Sequence, residues 1–217
     1  MMFRRGTAMD EPTEDEGGGR WDRARRAKGG RPWLVPFLVI VVVPILIGAA
    51  VVLILGRGVG FEAVRRQTVH KFPDVQWVTT SELARWRGDA GRPQPLVLDA
   101  RTRVEYQVSH LKDAVWDDAV RPSLRPLRGR PTTDPIVVYG SVGYRGARLA
   151  YWLGKQGFTN VRNLSGGIFL WANEDRPLFR DDRPVAEVHP YDHRWGMLLV
   201  TRYRADAPDV QTPFAAP

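Results

Sequence analysis

The chain has no cysteine among its 217 residues. That absence excludes disulfides, thiolate metal ligands and any reaction that needs a thiolate nucleophile, and it leaves the redox compartment unreadable. Zinc-finger spacing and recognisable nucleic-acid modules are also missing. The basic residues that give a net charge of +8 are spread along the chain, so no nucleic-acid partner is expected. A third lack is local: Trp33 to Leu55 contains no charged or strongly polar side chain. As a helix, such a run reaches about 34 Å, enough for a hydrocarbon core of about 30 Å. It predicts one transmembrane helix over 33–55, kinked at Pro44.

On either side of that run the composition changes. Residues 1–32 carry an acidic cluster (Asp10, Glu11, Glu14, Asp15, Glu16), a glycine run and then a basic stretch, and read as a disordered tail because they offer little apolar area to bury. Arg20, Arg23, Arg25, Arg26, Lys28 and Arg31 before the span outnumber Arg57, Arg65, Arg66 and Lys71 after it. The positive-inside rule then puts the N-terminus in the cytoplasm and the following domain outside, in a single-pass membrane protein. Gly56, Gly58 and Gly60 predict a flexible exit within a linker over 56–74. A globular domain is expected over 75–180, followed by a C-terminal extension over 181–217.

Short apolar runs alternate with helical patterns through that domain. Gln76 to Val78 reads as a strand, followed by a helix opened by Thr79 and Glu82 at capping-box spacing. Leu96 to Leu98 and Ile136 to Tyr139 are continuous apolar runs suited to strands covered on both faces. Ala114 to Trp116 and Val161 to Leu164 are further strands. Helices are expected around Arg103 to Val108, over Gly146 to Gln156 with Gly157 ending it, and after Gly166-Gly167. Strands alternating with helices give an α/β fold with a mostly parallel sheet and right-handed crossovers.

Two stretches carry a family resemblance. LVLDARTRVEYQVSHLKDAV, from Leu96 to Val115, resembles the first signature of rhodanese-like domains, with its Asp-x-Arg, Glu-Tyr and Ser-His pairs. Ile136 to Trp171 is similar to the second: a strand, a six-residue loop ending in arginine, a helix and Gly-Gly-x-x-x-Trp. The resemblance implies a rhodanese-like parallel sheet flanked by helices, preceded here by one transmembrane helix. It also implies sulfur transfer from a loop opened by a cysteine that forms a persulfide. In this chain that position is Gly140, which offers no atom for a covalent intermediate. Ser141 is one position off and lacks an obvious general base, so no catalytic residue is assigned. Related phosphatases share the fold, but their loop is one residue longer and also requires cysteine.

The loop Gly140, Ser141, Val142, Gly143, Tyr144 and Arg145 still has the makings of an anion site, because backbone N–H groups lead into a helix N-terminus beside an arginine. The alternative is a retained fold element with Arg145 tied to a nearby carboxylate or carbonyl. Asp99, Arg101, Glu105 and His110 are expected to be structural residues near the loop. His189 and His193 are four apart, but Pro190 intervenes and no third ligand is evident, so no metal is expected and no cofactor is implied. The segment VHPYDHRWGMLL, from Val188, is similar to an extension of small stand-alone members, with no chemistry assigned to it. The function expected is a membrane-anchored rhodanese-like pseudoenzyme that binds a protein partner or a small anion. The alternative is a sulfurtransferase-related protein whose partner supplies the thiol.

Overall fold

The computed structural model describes residues 34–208. The expected tail over 1–32, Trp33 at the start of the apolar run, and the last residues of the extension lie outside the described residues. Two compact units divide the chain, one ending at Ala50 and the other beginning at Val51.

The apolar run, expected as one membrane-spanning helix kinked at Pro44, is helical through its described residues, with its irregularity just before that proline. It is divided into α1 (Leu34–Phe37), a π-helical segment at Leu38–Val42, and α2 (Val43–Lys71). Pro44 has no N–H to return to the preceding turn, and the helix widens just before it, with the Val43 amide donating to the Leu38 carbonyl. Among the described residues, no helix is long and apolar enough to cross a membrane. Gly56, Gly58 and Gly60 do not form a flexible exit either, since α2 continues through them to Lys71. That stretch is held by Phe61 and Val64 packing on the domain core and by Glu62 pairing with Arg65 and Arg66.

The domain follows the expected order: β1 (Gln76–Val78), α3 (Thr80–Gly88), β2 (Leu96–Asp99), α4 (Arg103–Val108), β3 (Val115–Trp116), β4 (Ile136–Tyr139), α5 (Tyr144–Lys155), β5 (Val161–Leu164) and α6 (Gly167–Asn173). Thr79 and Glu82 form the capping box that opens α3, and Thr102 with Glu105 forms a second at α4. After α6 come the hairpin β6 (Leu178–Arg180) and β7 (Arg183–Val185), then the short helix α7 (His193–Gly196).

Five strands make one parallel sheet in the order β1-β5-β4-β2-β3. Alternate residues of a strand point to opposite faces, so Val137 and Tyr139 join one cluster while Ile136 and Val138 join the other. Leu83 and Trp86 of α3, with Ile168 and Phe169 of α6, fill the first face. Ala147, Leu149 and Leu153 of α5 fill the second, together with Phe72. The order reverses between β2 and β4, which are paired with Asp99 opposite Tyr139. This register sets the loops after both strands side by side at their C-terminal ends, where open α/β sheets place their sites.

Candidate functional site

The loop after β4 is buried from Gly140 to Gly143 and turns into α5 through Gly143, whose φ of +113° only glycine adopts comfortably. Two further glycines let it pack. A Cβ on Gly167 would lie 2.2 Å from the Gly140 carbonyl oxygen, and one on Gly146 would lie 2.3 Å from Asn163 Oδ1. The α6 amides of Ile168 and Phe169 donate to the carbonyls of Gly140 and Ser141, fixing the loop from beneath. Among the described residues, no backbone carbonyl accepts from the amides of Ser141, Val142 or Gly143.

The arginine that closes the loop is already engaged. Arg145 donates from both terminal nitrogens to Glu105, at 2.7 Å to Oε2 and 2.6 Å to Oε1, and from Nη2 to Ser141 Oγ at 2.7 Å. Ser141 in turn donates to Glu105 Oε1 at 3.0 Å. Glu105 is held in place by its capping box and is fully buried. Burial pushes its carboxyl upward, but the Arg145 guanidinium, joined by the Arg101 charge and the Thr102 amide, outweighs that and brings it down to about 2. A carboxylate that acidic is a poor base, so its closeness to Ser141 does not activate the hydroxyl.

A second buried ion pair joins Asp99 and Arg101. Asp99 accepts from Arg101 through both carboxylate oxygens, the shortest contact being 2.7 Å, and from the Tyr139 hydroxyl at 2.5 Å. Arg101 also donates to the Ser109 carbonyl, while the Leu111 amide donates to the Tyr139 oxygen. Burial drives the Tyr139 phenol well above its ordinary range, with the neighbouring Asp99 charge adding to the effect. His110 lies apart from the loop arginine. It stacks on Tyr106 at 4.2 Å, its Nδ1 is 3.1 Å from the Tyr106 carbonyl, and its backbone pairs with Phe179.

The C-terminal extension completes the site. Tyr191, in a left-handed backbone conformation, lies over the Arg145 guanidinium at 4.8 Å and is buried. His189 accepts the Tyr191 amide at Nδ1, and His193 stands at the start of α7. Val188, Leu199 and Tyr203 belong to the domain core, and Asn173 of α6 exchanges hydrogen bonds with Leu198 and Val200. Sequence reasoning assigned no role to this segment. Its apolar residues Val188, Trp195, Leu198 and Leu199 pack on the core, whereas its position over Arg145 depends on a tertiary contact.

Residues 79–174 match the family described as Rhodanese-like domain. The chain contains a rhodanese-like domain. Its loop has glycine where the family has cysteine, and there is no cysteine elsewhere to replace it. Similar proteins include the tRNA uridine(34) hydroxylase of Oceanobacillus iheyensis, 28% identical over 109 residues, covering 46% of this chain and 32% of the relative. That of Enterococcus faecalis is 35% identical over 109 residues with the same coverage, so the chain spans about a third of the length of the curated relatives it matches. A crystal structure of the Alr3790 protein from Anabaena sp. is 23% identical, with a TM-score of 0.44, covering 49% of this chain and 94% of that one.

Two outcomes test the rhodanese-like loop's ion pair. Arg145→Leu strands the buried Glu105 carboxylate and should destabilise the domain by about 3–5 kcal/mol, whereas Glu105→Leu/Arg145→Leu should lose clearly less than the sum of the single changes. Chemical unfolding of the four proteins measures the coupling. Because the folded pKa of Glu105 lies below its ordinary value of 4.5, the pair's contribution is present above that pH and is lost as pH falls toward about 2. Unfolding midpoints followed between pH 5 and pH 2 should drop more steeply in the wild type than in Glu105→Gln.

Proposed function

We propose that this chain is a non-catalytic rhodanese-like module, anchored in a membrane, that acts by binding a protein partner. The observation that carries the non-catalytic reading is the start of the loop. Gly140 supplies no nucleophile, and the adjacent hydroxyl of Ser141 is bonded to both Glu105 and Arg145. Sulfane sulfur transfer by the family's route passes through a thiol, and a serine oxygen offers no equivalent intermediate. The engaged arginine also favours a protein partner over a small anion. An incoming anion would have to displace Glu105 from a bidentate contact and lift Tyr191 from the guanidinium.

No single described helix is long and apolar enough to cross a membrane, so anchoring rests on the apolar segment as a whole, in which α1, the π-helical turns and the start of α2 follow one another without a break. Phe37, Leu38, Val39, Ile40, Ile45, Leu46 and Ile47 are all exposed, with Ile40 at 72% of its full accessibility. Such a helix, apolar on all sides, is costly in water and at home in hydrocarbon, where the π-helical widening before Pro44 is tolerated. The positive-inside count favours the domain on the outer side. A reaction on tRNA is a second reading, favoured by the names of the hydroxylases that match the domain, and it would require the domain to face the cytoplasm.

Full-length protein expressed in bacteria should stay in the membrane pellet after an alkaline carbonate wash and dissolve in detergent. Recovery in the alkaline supernatant would remove the anchor. The detergent-solubilised chain should transfer sulfur from thiosulfate to cyanide only at the rate of a no-protein control, and sustained turnover would overturn the non-catalytic reading. A Cβ added at Gly140 would lie 3.1 Å from the Gly146 amide nitrogen and 3.2 Å from Arg145 Cβ, so a side chain there fits with shifts of a few tenths of an ångström. Gly140→Cys should therefore be accommodated, and because Glu105, Arg145 and Tyr191 close the loop its mass should stay unchanged on thiosulfate treatment. A gain of one sulfur atom, about 32 Da, taken from thiosulfate with release of sulfite, would show that the loop still admits a small anion.

A further inference from the structure

A second surface lies on the outer face of α5. Tyr144, Arg148, Tyr151, Trp152 and Lys155 recur at helical spacing along it, and Lys71 and Phe72 at the end of α2 complete an open depression of about 400 Å³. Phe72 is buried and packs its ring at 5.8 Å from Tyr144 and 5.6 Å from Tyr151, which fixes both tyrosines. The three α5 aromatics are half-buried, and no residue lining the depression carries a carboxylate. Lys71 and Lys155 make no ion pair among the described residues. Each instead rests on an aromatic face, Lys71 at 5.2 Å from the Tyr144 ring and Lys155 at 4.9 Å from the Tyr151 ring.

We propose that this face of α5 is the docking surface for an acidic segment of a protein partner, whose carboxylates pair with Lys71 and Lys155 while its apolar side chains lie against Trp152. The inference rests on the reading of the chain as a protein-binding module and names the partner's chemistry. Charge complementarity carries it: the depression is lined by Lys71, Arg148 and Lys155 and by no carboxylate, and the adjoining hollow that shares Tyr151 and Lys155 adds Asp74 as its one acid. This net positive, aromatic surface attracts carboxylates, and a cation already seated on an aromatic ring needs little reordering to receive one. Two other anionic occupants fit less well. Nucleic-acid bases need open ring faces for stacking, and the ammonium groups occupy those of Tyr144 and Tyr151. Lipid headgroups lie at the bilayer surface, whereas Lys71 stands about 24 Å along α2 beyond Leu55, at 1.5 Å per residue.

Full-length protein in detergent is titrated against a fluorescein-labelled ten-residue peptide of alternating glutamate and leucine, with the lysine-leucine peptide, single-stranded RNA and phosphatidylglycerol vesicles as parallel probes. The expected result is saturable binding of the glutamate peptide in the micromolar range, weakened at least tenfold by Lys71→Glu/Lys155→Glu and unaffected by Gly140→Cys. Both lysines are surface residues, and an unchanged thermal unfolding midpoint for the double variant will show that it folds. No saturable binding, equal binding after the charge reversal, or tighter binding of RNA or vesicles each overturns the proposal. None of these outcomes bears on the sulfur-transfer assay, so failure of the docking surface is distinguishable from failure of the non-catalytic reading.

Discussion

Glu105 and Arg145 meet across the gap between the loops that follow β2 and β4, and the character of the site depends on that contact. A guanidinium at the mouth of a helix N-terminus is ordinarily a strong attraction for an anion. Here its two terminal nitrogens are bound to a carboxylate that has no solvent exposure of its own, and Ser141 closes the triangle. The desolvation cost of both charges has already been met within the fold, offset by their mutual attraction and by the Thr102 cap on Glu105. A ligand that competes for Arg145 would have to leave Glu105 buried without its partner.

Around this pair, each neighbouring element closes the loop further. Glycine at 146 and 167 brings α5 and α6 against it at distances no larger residue permits, and α6 amides bind its carbonyls from below. Tyr191 covers the guanidinium from the extension, which is itself pinned to α6 through Asn173. A loop built for turnover must admit and release its substrate. This one is packed as core, in keeping with glycine rather than a thiol at position 140, while on the outer face of α5 Lys71 and Lys155 make no ion pair among the described residues.

Much of the fold was legible in the sequence because the signals were local. The runs at Leu96 and Ile136 are apolar at every position, as strands covered on both faces must be, and Thr79 with Glu82 marks a helix start by spacing alone. The glycines at 56, 58 and 60 were misleading: their intrinsic preference for a flexible exit is overridden by Phe61 and Val64 packing on the core. The apolar run was legible as a hydrophobic segment but not as α, π and α pieces, since a proline signals a break without specifying the hydrogen-bond shift that repairs it. In the site, the loop and its arginine could be recognised from their order in the chain. The partner of that arginine could not, because Glu105 is forty residues away and doubles as a helix cap. Tyr191 was equally hidden, for its contact with Arg145 exists only once the extension folds back.

With both terminal nitrogens of Arg145 bonded to Glu105, the positive charge of the loop is satisfied within the fold and is not offered to a small anion. Thiosulfate titrated into the isotope-labelled full-length protein in micelles, with the backbone amides of residues 141–146 followed by NMR, tests it directly. These signals should show no saturable movement at thiosulfate concentrations that move no others. A saturating shift centred on Gly143 to Arg145, accompanied by release of the Arg145 side-chain signals from Glu105, would contradict it.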